Sequence, residues 1–114
     1  MITLYGIANC NTMKKARTWL DEHNVEYRFH DYKKQGAPEQ ELKAWIEELG
    51  WEALLNRKGM TWRHLDDDQK QDLNADKALQ IMLEKPSIIK RPVLDAGEKR
   101  LVGFAEQVYA EHFE

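Results

Sequence analysis

One cysteine occurs in the whole chain, Cys10, and it is followed at once by Asn11, Thr12, Lys14, Lys15 and Arg17. The chemistry open to such a residue depends on its charge state, because the thiolate and not the thiol is the nucleophile. Upstream, Ile2, Leu4, Tyr5 and Ile7 read as a short buried strand that breaks at Ala8-Asn9. Downstream, Met13, Ala16 and Leu20 recur at helical spacing. Asn11 and Thr12 are residue types that cap helices. Cys10 is therefore expected at a strand-to-helix turn, where free N–H donors and the positive end of the helix dipole favour a negative charge. The charges sharpen this expectation. Helices prefer acids in the first turn, yet Lys14, Lys15 and Arg17 come first and no acid appears before Asp21. Each misplaced charge costs roughly a few tenths of a kcal/mol, a cost that makes sense if a thiolate or a bound anion sits there. Free cysteines are commonly inert core residues; position and charge together favour a reactive thiol.

A single thiolate can attack a disulfide or an electrophilic oxyanion, but this chain has no second cysteine to resolve the covalent intermediate. An external thiol must do so. Glutathione is the abundant candidate, and basic residues near Cys10 suit its carboxylates. No bound cofactor is implied.

The elements that must position Cys10 follow in order. After the first helix, Val25, Tyr27, Phe29 and Asp31-Tyr32 alternate as a second strand, completing a segment of βαβ size. Lys33 to Ala37 reads as a loop, Pro38 opens a helix, and Gly50 stops it. From Trp51 to Lys85 the sequence reads as helical throughout, with Asn74 capping a segment whose apolar face is Ala78, Leu79, Met82 and Leu83. Val93-Leu94 and Leu101-Val102 form two further strands around a turn at Ala96-Gly97-Glu98, and Ala105 to Phe113 forms a last helix. The expected fold is α/β: a mixed four-stranded sheet with flanking helices, in one domain over 1–114 with an all-helical insertion at about 38–85. That order fits a thioredoxin-like architecture.

Composition narrows the function. With 114 residues, 42% hydrophobic and 32% charged, the chain suits an ordinary globular domain. A net charge of -3 argues against a general nucleic-acid binder. Trp45, Trp51 and Trp62 are expected in the core rather than on a base-stacking platform. No apolar run approaches the ~20 residues of a membrane span, and no signal segment is recognisable at the N-terminus. One cysteine suits a reducing compartment, so a cytoplasmic monomer is expected. The four histidines lack ligand spacing and Asp66-Asp67-Asp68 reads as a helix start, so no metal site is expected.

The chain resembles the ArsC/Spx family of thioredoxin-fold proteins, and within it the small YffB-like bacterial branch. The likeness spans essentially the full length. It rests on LYGIANCNTMKKARTWL, on LLNRKG at Leu54 to Gly59, on IMLEKPSIIKRPVL, and on KRLVGF. In the arsenate reductases of this family a cysteine at this position attacks the oxyanion, arginines surround it, and glutathione with glutaredoxin releases the product. The resemblance implies that Cys10 is the nucleophile and that Asn11 and Thr12 form the turn holding the anion. It implies that Arg91 binds substrate, as does Arg57 by a looser alignment; Lys14 joins them as an anion-binding residue by its charge in the first turn. Pro92 falls where thioredoxin-fold proteins hold a cis proline. Two departures stand out. A third arginine of the arsenate reductases is missing, the chain reading Leu101-Val102-Gly103-Phe104 there, and Met13 stands where Spx regulators carry a second cysteine. The resemblance thus implies a glutathione-dependent thiol reductase doubtful in arsenate reduction, with an Spx-like regulator that binds RNA polymerase or another protein as the alternative.

Overall fold

A computed structural model describes residues 1–114. The chain runs β1 (Ile2–Gly6), α1 (Asn11–Glu22), β2 (Tyr27–Asp31), α2 (Tyr32–Gln35) and α3 (Glu39–Leu49). Four more helices follow, α4 (Trp51–Leu54), α5 (Met60–Arg63), α6 (Asp67–Lys70) and α7 (Ala75–Glu84), then a 3-10 turn at Pro86–Ile88. It closes with β3 (Val93–Asp95), β4 (Arg100–Val102) and α8 (Glu106–Phe113). These elements form two compact units, one comprising Met1–Asp31 with Arg91–Glu114 and the other Tyr32–Lys90.

The first unit holds the sheet, in the order β2-β1-β3-β4. β1 runs parallel to β2, Leu4 facing Phe29, and antiparallel to β3, Leu4 facing Leu94. β3 and β4 form the expected hairpin. The mixed four-stranded sheet with flanking helices is thus the observed fold. Its core is Leu4, Met13, Ala16, Leu20, Leu94 and Tyr109, all fully buried. Gly6 is built into this packing: a Cβ there would run into the Sδ of Met13, so any side chain at position 6 would force the buried Met13 to repack.

Tyr109 closes the core among Trp19, Phe104 and Phe113, with ring centroids at 5.6, 4.8 and 6.2 Å. Its hydroxyl is buried without a hydrogen-bond partner, and burial pushes its pKa well above the usual tyrosine value. An unpaired buried hydroxyl costs about 1–3 kcal/mol, so removing it should not destabilise. We expect Tyr109→Phe to match or exceed the parent in urea melts, by up to about 1 kcal/mol. A loss of that size instead would show that the hydroxyl is paired in solution.

The second unit is helical, with corrections to the sequence reading. Lys33 to Ala37 is not all loop, since Tyr32–Gln35 forms a helical turn and the second strand ends at Asp31. Nor is Trp51 to Lys85 helical throughout. Leu55 bridges Ile89 antiparallel, with Lys90 N donating to Leu54 O at 2.7 Å, so the segment is pinned by extended backbone after α4. Asn74 caps α7 as expected, its Oδ1 accepting from Lys77 N at 2.8 Å. Ile81 rather than Leu83 completes the buried face of that helix, Leu83 being half-buried.

Candidate active site

β1 ends at Gly6, Cys10 lies four residues on, and α1 begins at the next residue, so the sheet delivers Cys10 to the helix start. Cys10 is itself the N-cap, with extended backbone at φ -151° and ψ 129°, and its carbonyl accepts from Lys14 N at 3.0 Å. This corrects the reading of Asn11 and Thr12 as caps. Both already have helical backbone, at the first two positions, and both side chains are exposed. They are better capping types than cysteine, but the chain turns one residue earlier.

The N-cap side chain is the one aimed at the unpaired N–H groups of the first turn. The neutral thiol makes no capping hydrogen bond of normal geometry. The charged form fares differently. Partial burial of Cys10 works against the thiolate, but the Met13 N–H, the Arg91 guanidinium by hydrogen bond and by charge, and the Thr12 N–H outweigh it and hold the thiol below its ordinary pKa. Lys14 and Lys15 are not among the groups that lower it; both are exposed on α1.

Arg91 comes from the far end of the chain. β3 pairs with β1 so that Val93 faces Tyr5, and that register carries the preceding Arg91-Pro92 pair alongside the end of β1 that leads to Cys10. The Arg91–Pro92 bond is cis, as the resemblance implies, and Pro92 is buried. Its carbonyl accepts from Gly103 N at 2.8 Å, tying the segment to the end of β4. Gly103 has φ +79°, a conformation favouring glycine.

Three other arginines are engaged elsewhere. Arg17 Nε donates to Tyr27 Oη at 3.1 Å, and its guanidinium lies 4.5 Å from the Phe29 ring centroid. Arg100 holds the hairpin turn through Gly97 O at 2.9 Å and Asp95 at 3.6 Å. Arg57 lies in the helical unit, against Trp51 at 5.2 Å and Trp62 at 5.9 Å. Those two tryptophans are half-buried under cations rather than core; of the three, Trp45 alone is buried. Within the sheet unit, then, Cys10, the first-turn N–H groups and Arg91 converge. The arrangement can stabilise a thiolate and attack a soft electrophile.

Residues 5–112 of the chain match the ArsC family. The chain belongs to that family. A solved YFFB protein is 54% identical, with 100% of both chains covered and a TM-score of 0.97. An arsenate reductase (ArsC) related protein from Brucella melitensis is 46% identical over 99% of this chain and 94% of that one, with a TM-score of 0.78. The global transcriptional regulator Spx of Enterococcus faecalis is 32% identical, covering 93% of this chain and 81% of its own. In this chain the ArsC-family fold thus places Cys10 where the first-turn amides of α1 favour its thiolate. The contribution of Met13 escaped the sequence, where Met13 reads only as a core residue. Taking Cys10 as the N-cap would have revealed it, because position N3 is the usual donor.

The lowered pKa has a consequence for stability. An unperturbed thiol titrates near ~8.5. With the folded value below the unfolded one, the native state binds fewer protons between the two, so the thiolate stabilises fully above ~8.5 and loses its contribution as pH falls through the folded value. The margin of the parent over Cys10→Ser should therefore grow as pH rises from about 6 to about 9 in denaturant melts. Serine is the better N-cap, but that advantage is independent of pH and does not alter the slope. A flat or falling margin would contradict the activated thiol.

Proposed function

We propose that this ArsC-family protein is a single-cysteine thiol reductase that draws its electrons from an external thiol, glutathione being the natural donor. The observation that carries the reading is Cys10 at the N-cap of α1, with the Met13 N–H and the Arg91 guanidinium both favouring its thiolate. The Cys10 thiolate attacks one sulfur of a substrate disulfide. A Cys10–sulfur bond forms, the substrate S–S bond breaks, and the second sulfur leaves as a thiolate that takes a proton from water. A glutathione thiolate then attacks the mixed disulfide on the substrate-derived sulfur or on that of Cys10. A second glutathione completes the two-electron reduction, leaving oxidised glutathione and Cys10 regenerated. Glutaredoxin suits the same resolving role, since it delivers a thiol of the same kind.

The test is intact mass after incubation with oxidised glutathione. The parent should gain a single glutathione adduct that free glutathione removes, and Cys10→Ser should gain none. An unmodified parent would sink the proposal.

The likeness to a global transcriptional regulator supports a second reading, a module that contacts a protein partner such as RNA polymerase. Met13 denies it the internal disulfide that a second cysteine would allow. Recovery of a polymerase subunit in a pull-down that Cys10→Ser leaves unchanged would favour this reading over the enzyme.

A further inference from the structure

The two edges of the sheet differ. β4 is three residues long, whereas β2 runs five, with β1 on one side and no strand on the other. Half of its backbone N–H and C=O groups are therefore unpaired in the sheet, and Tyr27, Arg28 and Phe29 make no backbone hydrogen bond outside it. Such an edge is a template for a further strand unless a proline, a bulge or repeated like charges blunt it. β2 has no proline, and its register against β1 is unbroken from Tyr27 to Asp31.

Its charges invite pairing rather than prevent it. Val25, Tyr27 and Phe29 pack against the core cluster, and Glu26 and Arg28 between them are exposed, so the alternation of faces runs back through Val25. On the core face, Arg17, Asp21, Val25, Tyr27 and Phe29 line an open groove of about 560 Å³. Asp21, Glu26 and Arg28 have no ion pair or side-chain hydrogen bond within the chain, and Arg17 has a phenol and a ring as partners but no carboxylate.

A strand added by a second copy resolves all four. A closed pair of copies has a two-fold axis, which makes the strands antiparallel and the contact isologous. With Tyr27 on the axis, Glu26 lies opposite Arg28 of the partner subunit, Arg28 opposite the partner's Glu26, and Val25 opposite the partner's Phe29. The registers on either side set Arg28 against the partner's Arg28, or Glu26 against the partner's Glu26, and like charges directly opposite destabilise. The same axis serves α1. Arg17 lies over Phe29 at 4.5 Å, and Asp21 lines the groove with Val25. Setting Val25 of the partner subunit opposite Phe29 thus carries the partner's Asp21 toward Arg17.

We propose that the β2 edge is a homodimer interface, two copies joining antiparallel with Tyr27 on the two-fold axis into a sheet of twice the width. Composition leads one to expect a monomer; the edge strand argues for a dimer. The inference is independent of the reductase reading, which uses none of these residues.

The test is sedimentation velocity of the full chain from low micromolar to millimolar concentration, over which the parent should pass from monomer to dimer. Arg28→Glu turns both attractive cross-strand pairs repulsive and should raise the dimer dissociation constant about ten- to a hundredfold. Adding Glu26→Arg to that variant restores opposite charges and should recover most of the loss. Because the recovered protein carries both changes, its dimer also shows that neither change unfolds the chain. A parent that stays monomeric into the millimolar range would overturn the proposal. So would a dimer indifferent to Arg28→Glu, or a doubly reversed variant that pairs no better than Arg28→Glu alone.

Discussion

Replacing Arg91 by methionine is expected to slow alkylation of Cys10 at neutral pH by about three- to tenfold, and to speed it at high pH. The first half follows from the loss of a charge-assisted hydrogen bond, worth about 1.5–3 kcal/mol between well-buried groups. Arg91 and Cys10 are both half-buried, so solvent screening keeps the effect at the low end. The midpoint of the rate against pH moves up toward the ordinary thiol value, because the Met13 and Thr12 N–H groups are left to oppose burial alone. The second half follows from intrinsic nucleophilicity, which rises with thiol pKa at a Brønsted slope of about 0.4–0.5. Above both midpoints each protein is fully thiolate, and the variant's is the stronger nucleophile. The two curves should therefore cross. Arg91→Lys should fall between them, keeping the charge while losing the planar fork. Curves that coincide would show that Arg91 takes no part in activating the thiol, and that the helix start does so unaided.

That arginine also shows where the sequence ran out. The strand-turn-helix around Cys10 was legible because Ile2, Leu4, Tyr5 and Ile7 form a short apolar segment and Met13, Ala16 and Leu20 keep the helical period. Asn74 and Gly50 marked helix ends by their chemistry, and both do so in the fold. The cap at Cys10 was misplaced by one residue because residue type favours Asn11 and Thr12, whereas the backbone turns at φ -151° one step earlier. A one-residue error of this kind leaves the core face unchanged but reassigns the donors, since the amide at N3 becomes that of Met13. Two features were invisible for a different reason. The Leu55–Ile89 bridge and the β1–β3 pairing that brings Arg91 beside Cys10 are long-range, and no local pattern encodes them. α2, at four residues, is shorter than any periodicity can register. Arg91 entered the candidate site through family resemblance, and the register of β3 supplies the physical reason.

The largest effect we expect is a difference between substrates: transfer of Cys10 onto oxidised glutathione should exceed arsenate reduction by at least about a hundredfold under matched conditions. Removing one donor from an oxyanion site costs about 10²–10³ in rate, because charge developing in a desolvated site must be met by several convergent groups. Here the arginine that acts on Cys10 is Arg91. By the family resemblance, Gly103 falls where the arsenate reductases carry a third arginine, and its φ of +79° makes a side chain costly although a Cβ would meet nothing within 4 Å. The obstacle is thus the backbone and not space. Gly103 N is committed to Pro92 O, and relaxing φ there would disturb the segment that presents Arg91. Neither Arg100 nor Arg17 is free to substitute, since Arg100 is held by Asp95 and Gly97 in the hairpin and Arg17 by Tyr27 and Phe29. Disulfide exchange asks less of the site, needing a thiolate, an accessible sulfur and a leaving thiolate that water can protonate. Assays of both reactions with the same protein, glutathione and glutaredoxin should give adduct formation at Cys10 with little arsenate turnover. Saturable arsenate reduction at a comparable rate would refute this, and the arginine to replace next would then be Arg100, whose hairpin contacts would have to break for it to reach the anion.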